Sequence, residues 1–269
     1  IDSGVDYNHP DLAKRIWSNA GEIAGNAIDD DANGFVDDIR CWDLVQNDND
    51  PMDFNNDGTH VAGTIGEIGN NGVGGVGVCW NASIMPLRAA STLGSLTTAD
   101  QVAAVNYAVA NGAKIINASF GGTGGTTGDL MDLAIANANT AGVLVVAAAG
   151  NNGTNNDIIQ YYPASYNQPN IVSVAATDQI DAKSGFSNYG AASVDIGAPG
   201  SNIYSTIPPA RVAACFWNFD TGTLQGWTPE TYANPGGPIA NTTAVTTESA
   251  YSPLFSRTDS PGALYPNNR

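Results

Sequence analysis

Three short apolar runs, spaced by two segments of helical periodicity, constrain this chain more than any other feature. Ala82–Arg88 and Lys114–Ser119 are the first two runs. Val143–Ala149 is nearly uninterrupted, as strands covered on both faces are. Between the first two, Thr98–Asn111 places Val102, Val105 and Val109 near helical spacing and stops before Gly112, a residue suited to the left-handed turn that follows a helix. Asp129–Thr140 repeats the pattern with Leu130, Leu133 and Ala134, and Gly142 follows. Strand, helix, strand, helix, strand implies right-handed crossovers and a parallel sheet with helices on both faces. The predicted class is therefore α/β, a doubly wound and mostly parallel sheet whose working residues sit at the carboxyl ends of strands.

The pattern stops near Pro208. From residue 210 onward come Gly, Pro, Thr and Asn with isolated aromatics such as Trp217, Phe219, Trp227 and Tyr251 and no helical period, the composition of short strands and turns. We divide the chain into an α/β domain over 1–209, incomplete at both ends, and a partial all-β domain over 210–269. The sequence opens at Ile1 without Met, as expected of a processed or partial chain. Nine Lys+Arg against 26 Asp+Glu give a net charge of −17, which argues against nucleic acid or anionic membrane surfaces as partners. No apolar run approaches the length of a membrane span. Three scattered cysteines imply no disulfide framework. Low Lys with abundant Asn, Gly and Thr suits a secreted, extracellular protein.

Part of the acid is concentrated in DDDANGFVDD, residues 29–38. Asp29, Asp31 and Asn33 at positions one, three and five, Gly34 at six and the Phe35 carbonyl at seven follow the opening of an oxygen-ligand calcium loop. Arg40 stands where such a loop closes with Glu, leaving Asp37 or Asp38 to complete the set. Five Asp in ten residues repel one another without a cation, and Ca²⁺ is the expected structural ligand.

Five further motifs occur in order: IDSGVDYNHP at Ile1–Pro10, DGTHVAGTIG at Asp57–Gly66, INASFGG at Ile116–Gly122, VVAAAGNNG at Val145–Gly153 and SNYGAASVDIGAPGSNIYS at Ser187–Ser205. Each alone is a turn or strand end. Together, over an α/β alternation, the chain resembles the subtilisin family of serine endopeptidases from Ile1 to about Pro209. The resemblance implies a peptide or protein substrate, with Asp2 as the residue that orients a catalytic histidine and Asn151 as an amide donor to the tetrahedral oxyanion. It implies that Ser119, Phe120 and Gly121, with Ala149 and Gly150, border the specificity pocket. Gly94, Ser95 and Leu96 would supply an edge along which an extended substrate pairs.

Two departures from the family pattern bear on activity. The helix that opens with His-Gly-Thr-His in the family reads Asp57-Gly58-Thr59-His60 here, so Asp57 occupies the position of the general base. His60 lies about 4.5 Å further along that helix, too far to take over the role. After the GAPGSNIYSTIP stretch the family continues to Gly-Thr-Ser-Met-Ala, whose Ser is the nucleophile and heads a core helix. This chain runs IPPARVAACFWNFDTGTLQGW instead, with Thr221–Leu224 the nearest textual match and no Ser in it. The expectation is a chain without peptidase activity and with a weakened core. A carboxylate-pair hydrolase using Asp2 and Asp57 is the remaining catalytic option, and no other residue in the chain supports it. Residues 216–269 resemble the jelly-roll-like modules appended to secreted proteases, which implies a glycan or matrix ligand for that tail.

Overall fold

In the computed structural model of the protein, residues 1–209 are described; the expected all-β domain over 210–269 lies outside them. The helices are α1 (Asp57–Gly66), α2 (Thr98–Ala110) and α3 (Leu130–Thr140), and the strands β1 (Ile115–Ala118), β2 (Leu144–Ala148), β3 (Ile171–Thr177) and β4 (Ile196–Pro199). The four strands form one sheet in the order β1-β2-β3-β4, and every neighbouring pair is parallel.

Capping explains where two of the helices start. Thr97 accepts the Asp100 amide at 3.1 Å ahead of α2, and Asp129 accepts the Met131 and Asp132 amides, both at 3.0 Å, ahead of α3. Each satisfies first-turn donors that the helix itself leaves unpaired. Strand alternation then sets the core. Ile116 and Ala118 of β1 and Val145 and Ala147 of β2 point into one cluster with Ala104, Val105 and Ala108 of α2 and Ala134, Ile135 and Ala138 of α3. Both of these helices therefore cover the same side. Ile115 and Ile196 belong to the other side and are 62% and 52% exposed. Helix α1 packs through Ala62 with Val5 and Leu12 in a second, smaller cluster.

One expected strand is absent. Ala82–Arg88 makes isolated parallel bridges, Ile84 with Ile16 and Arg88 with Asp2 and Asp43, rather than a ladder. Pro86 sits in the middle of this run and has no amide proton to give. The bridges still hold the Asp2 segment in place: the Asp2 amide donates to the Leu87 carbonyl at 3.1 Å and the Ala89 amide to the Asp2 carbonyl at 2.8 Å. Beneath them the fully buried Asp43 carboxylate pairs with Arg88.

Candidate active site

Asp2 stands where the chain leaves its bridge to Arg88 and turns toward α1. Gly4 makes the turn at φ +101°, and a Cβ there would lie 2.8 Å from the Met52 carbonyl oxygen, so only glycine fits. The first turn of α1 presses against the same point. A side chain at Gly58 would collide with the Gly4 carbonyl and come 3.2 Å from Asp2 Cβ. Asp57, exposed at the first position of α1, is near enough for its charge to act on Asp2. Burial is the main reason that the Asp2 pKa is pushed up to about 6; the Ile1 ammonium and the Ser3 amide work against it, and the charges of Asp57 and Asp53 add to it.

Asp53 is the residue that builds this corner. The residue before α1, Asn56, has φ 85° and contributes no side-chain cap. The fully buried Asp53 carboxylate caps instead, accepting the amides of Asn55 at 2.8 Å, Asn56 at 3.0 Å and Thr59 at 2.9 Å. It also takes the hydroxyls of Ser3 at 2.9 Å and Thr59 at 2.6 Å, and Ser3 Oγ in turn accepts the Gly58 amide at 3.0 Å. The Asp2 strand and the α1 terminus are thus tied through one anion. Sequence reasoning missed Asp53; its signal was an acidic residue just upstream of a helix start. His60 is committed elsewhere, with Nε2 3.2 Å from the Ile203 carbonyl oxygen.

Parallel register places Ala118 beside Ala147, so Ser119–Gly121 and Ala149–Asn151 leave the same end of the sheet side by side. The second of these loops is held from beneath. Asn156 donates to the Ala149 carbonyl at 2.8 Å, Asn188 donates to Asn156 Oδ1 at 3.0 Å, and Asn188 Oδ1 accepts the Asn152 amide at 2.8 Å. Asn156 and Asn188 are fully buried, and their partners are too distant in sequence to have been read from it. Asn151 itself is exposed at the loop surface. Gly94, Ser95 and Leu96 form one arm of a tight turn, in which the Ser91 amide donates to the Ser95 carbonyl at 2.8 Å and Leu96 bridges Ala90.

In the acidic insert the expected ligands separate into two groups. Carboxylate oxygens of Asp29, Asp31 and Glu22 lie within 4.8 Å of one another; Glu22 joins the set without having been expected, because it lies outside the regular one-three-five step. The Glu22 carboxylate also accepts the amides of Asp30 at 2.8 Å and Asp37 at 3.0 Å. Asp37 turns to the amides of Gly25 at 2.7 Å and Ala27 at 2.9 Å. Asp38 is buried against Asn19 Nδ2 at 2.7 Å, Asn33 Nδ2 at 3.0 Å and the Tyr107 hydroxyl at 2.5 Å. Asn33 Oδ1 accepts the Phe35 amide at 2.8 Å, and the Phe35 ring packs edge-on to Trp42 and Tyr107 at 5.0 and 4.9 Å.

A parallel α/β sheet, an aspartate segment packed on a helix N-terminus and a Gly-Asn segment following a strand define a scaffold of the subtilisin-like serine-protease class. The sequence profile described as the Subtilase family matches residues 1–250, and the chain belongs to this family. It is 40% identical over 214 residues to thermitase of Thermoactinomyces vulgaris, covering 80% of this chain and 66% of that protein. It is 45% identical over 123 residues to subtilisin-like protease 1 of Plasmodium vivax, covering 45% of this chain and 19% of that protein. The match therefore spans from about a fifth to about two-thirds of these relatives' lengths. A crystal structure of a cold-adapted subtilisin-like serine proteinase aligns with TM-score 0.59 at 33% identity, covering 77% of this chain and 63% of the other.

Proposed function

We propose that this chain descends from a secreted serine endopeptidase, retains the peptide-binding groove, and does not itself hydrolyse peptides. The observation that carries this reading is Asp57 at the first position of α1, set against Asp2 where the family's chemistry needs a histidine. A triad requires a base that takes the nucleophile's proton while an aspartate orients it. Two carboxylates in that corner supply the orienting charge twice and the imidazole not at all. The only histidine on α1 is engaged with the Ile203 carbonyl, and no Gly-Thr-Ser segment follows Pro199 in the sequence. By resemblance to the family, Asn151 would serve as the oxyanion donor. In subtilisin, which is itself the source of the figure, loss of either His or Ser lowers turnover about 2 × 10⁶-fold, nearly as much as loss of the whole triad.

Restoring Asp57→His alone leaves the chain inactive on this account, because no nucleophile is in place. Peptidase activity in the unmodified chain, abolished by a serine-directed covalent inhibitor, would contradict it. The turn at Gly94–Leu96 and the extensions of neighbouring strands at 119–121 and 149–151 support a second reading, a noncatalytic extracellular peptide binder.

Calcium is the cation the insert suits, since hard carboxylate oxygens of Glu22, Asp29 and Asp31 converge there and no Cys or His among the described residues joins them. Glu22, Asp29 and Asp31 would hold it, and the ion would neutralise charges that otherwise repel. Asp37 and Asp38 would shape the loop around it through the hydrogen bonds they already make.

A further inference from the structure

We propose that Tyr161 stoppers the gap between the two strand extensions, so that the groove admits only a small side chain, Gly, Ala or Ser, at that position. The inference rests on the reading of this surface as a peptide groove and narrows what it takes. Ser119–Gly121 and Ala149–Gly150 leave adjacent parallel strands, and a side chain of a peptide lying across the carboxyl end of the sheet would descend between them. The walls of the gap at this depth are Gly121 and Gly150. A methyl group on Gly121 would collide with Tyr161 Cε1 and come 2.6 Å from the Tyr162 carbonyl oxygen. One on Gly150 would collide with Asn188 Nδ2 and lie 3.0 Å from both Cδ1 and Cε1 of the Tyr161 ring. One phenol ring therefore touches both walls at once and occupies the volume that a large side chain would need.

The ring is fixed rather than draped. Its hydroxyl donates to the Gly121 carbonyl at 2.9 Å, and its own amide donates to Ser165 Oγ at 3.0 Å. The next residue, Tyr162, is buried and exchanges two backbone hydrogen bonds with Gly122, at 2.8 and 2.9 Å. The backbone beneath the ring is thus paired to one wall of the gap. Moving the phenol aside for a second aromatic ring breaks the hydroxyl contact and opens both glycine faces. Such a site rejects by size, which a well-packed pocket does effectively.

The test is fluorescence-polarisation binding of extended peptide carboxamides that differ only in the last residue, Ala, Leu or Phe, to the full chain. The amide ends bring no charge near Asp2 and Asp57. The native chain is expected to bind the Ala peptide about tenfold or more tightly than the Phe peptide, and Tyr161→Gly to reverse that order. Tyr161→Ala gives the same reversal should the glycine variant fail to fold, and Tyr161→Phe keeps the native order because the ring remains. Equal preference in native and Tyr161→Gly chains, with measurable binding, would overturn the stopper while leaving the groove standing. No binding of any peptide to the native chain or to the variants would overturn the groove itself and the stopper with it.

Discussion

Asp2 is a carboxylate that this fold holds at a cost. Its folded pKa, pushed up to about 6 chiefly by burial and then by Asp57 and Asp53, lies above the ordinary value near 3.9. A carboxyl with a raised folded pKa favours the native state when protonated, so its contribution is fully present below about pH 4 and is lost as pH rises through about 6. For a pKa moved from near 3.9 to about 6 the loss is on the order of 3 kcal/mol. Urea unfolding of the native chain and of Asp2→Asn across pH 4 to 8 should show the variant gaining on the native chain by that order, with most of the gain between pH 4 and 6. A constant difference across that range would mean that Asp2 is not buried against Asp57 and Asp53. The motif around Asp2 was legible in the sequence because a strand end followed by Gly is local. Asp53, Asn156, Asn188 and Tyr161 were not legible, because each acts through partners fixed by tertiary packing. Tyr161 reads as an ordinary aromatic until the extensions of β1 and β2 bring Gly121 and Gly150 against the Cδ1–Cε1 edge of its ring.

Among elements, the existence of α2, α3, β1 and β2 follows from apolar periodicity and capping residues, but the face of α3 does not. Leu130 and Leu133, expected on its apolar side, are 66% and 53% exposed, and the helix buries Met131, Ala134, Ile135 and Ala138 instead. Ala82–Arg88 did not become a ladder, since composition announces an extended run but not whether neighbours can pair along its length. The acidic insert shows the same limit. Its spacing singled out Asp29 and Asp31, whose carboxylates converge with that of Glu22 because the loop folds back, while Asp37 and Asp38 turn to other hydrogen bonds. Calorimetric titration should register calcium uptake by the native chain. Glu22→Gln combined with Asp29→Asn should lower the stoichiometry by one ion, and Asp37→Asn should retain it. Unchanged uptake in the double variant would remove the site.

At the scale of the whole molecule, among the described residues, one side of the sheet is covered by α2 and α3 while Ile115 and Ile196 are more than half exposed on the other. Exposed apolar surface forfeits roughly 25 cal/mol for each Å² left in water. Hydrophobic dye should therefore bind the chain well below its melting temperature; a native chain that binds none would mean that this side is covered. The central claim, a protease scaffold that has kept its groove and lost its chemistry, is tested most directly by intact-mass analysis after incubation with a fluorophosphonate. The account predicts an unmodified mass for the native chain and for Asp57→His alike. A single stoichiometric adduct on one serine of the native chain, together with peptide hydrolysis that the reagent abolishes, would contradict it.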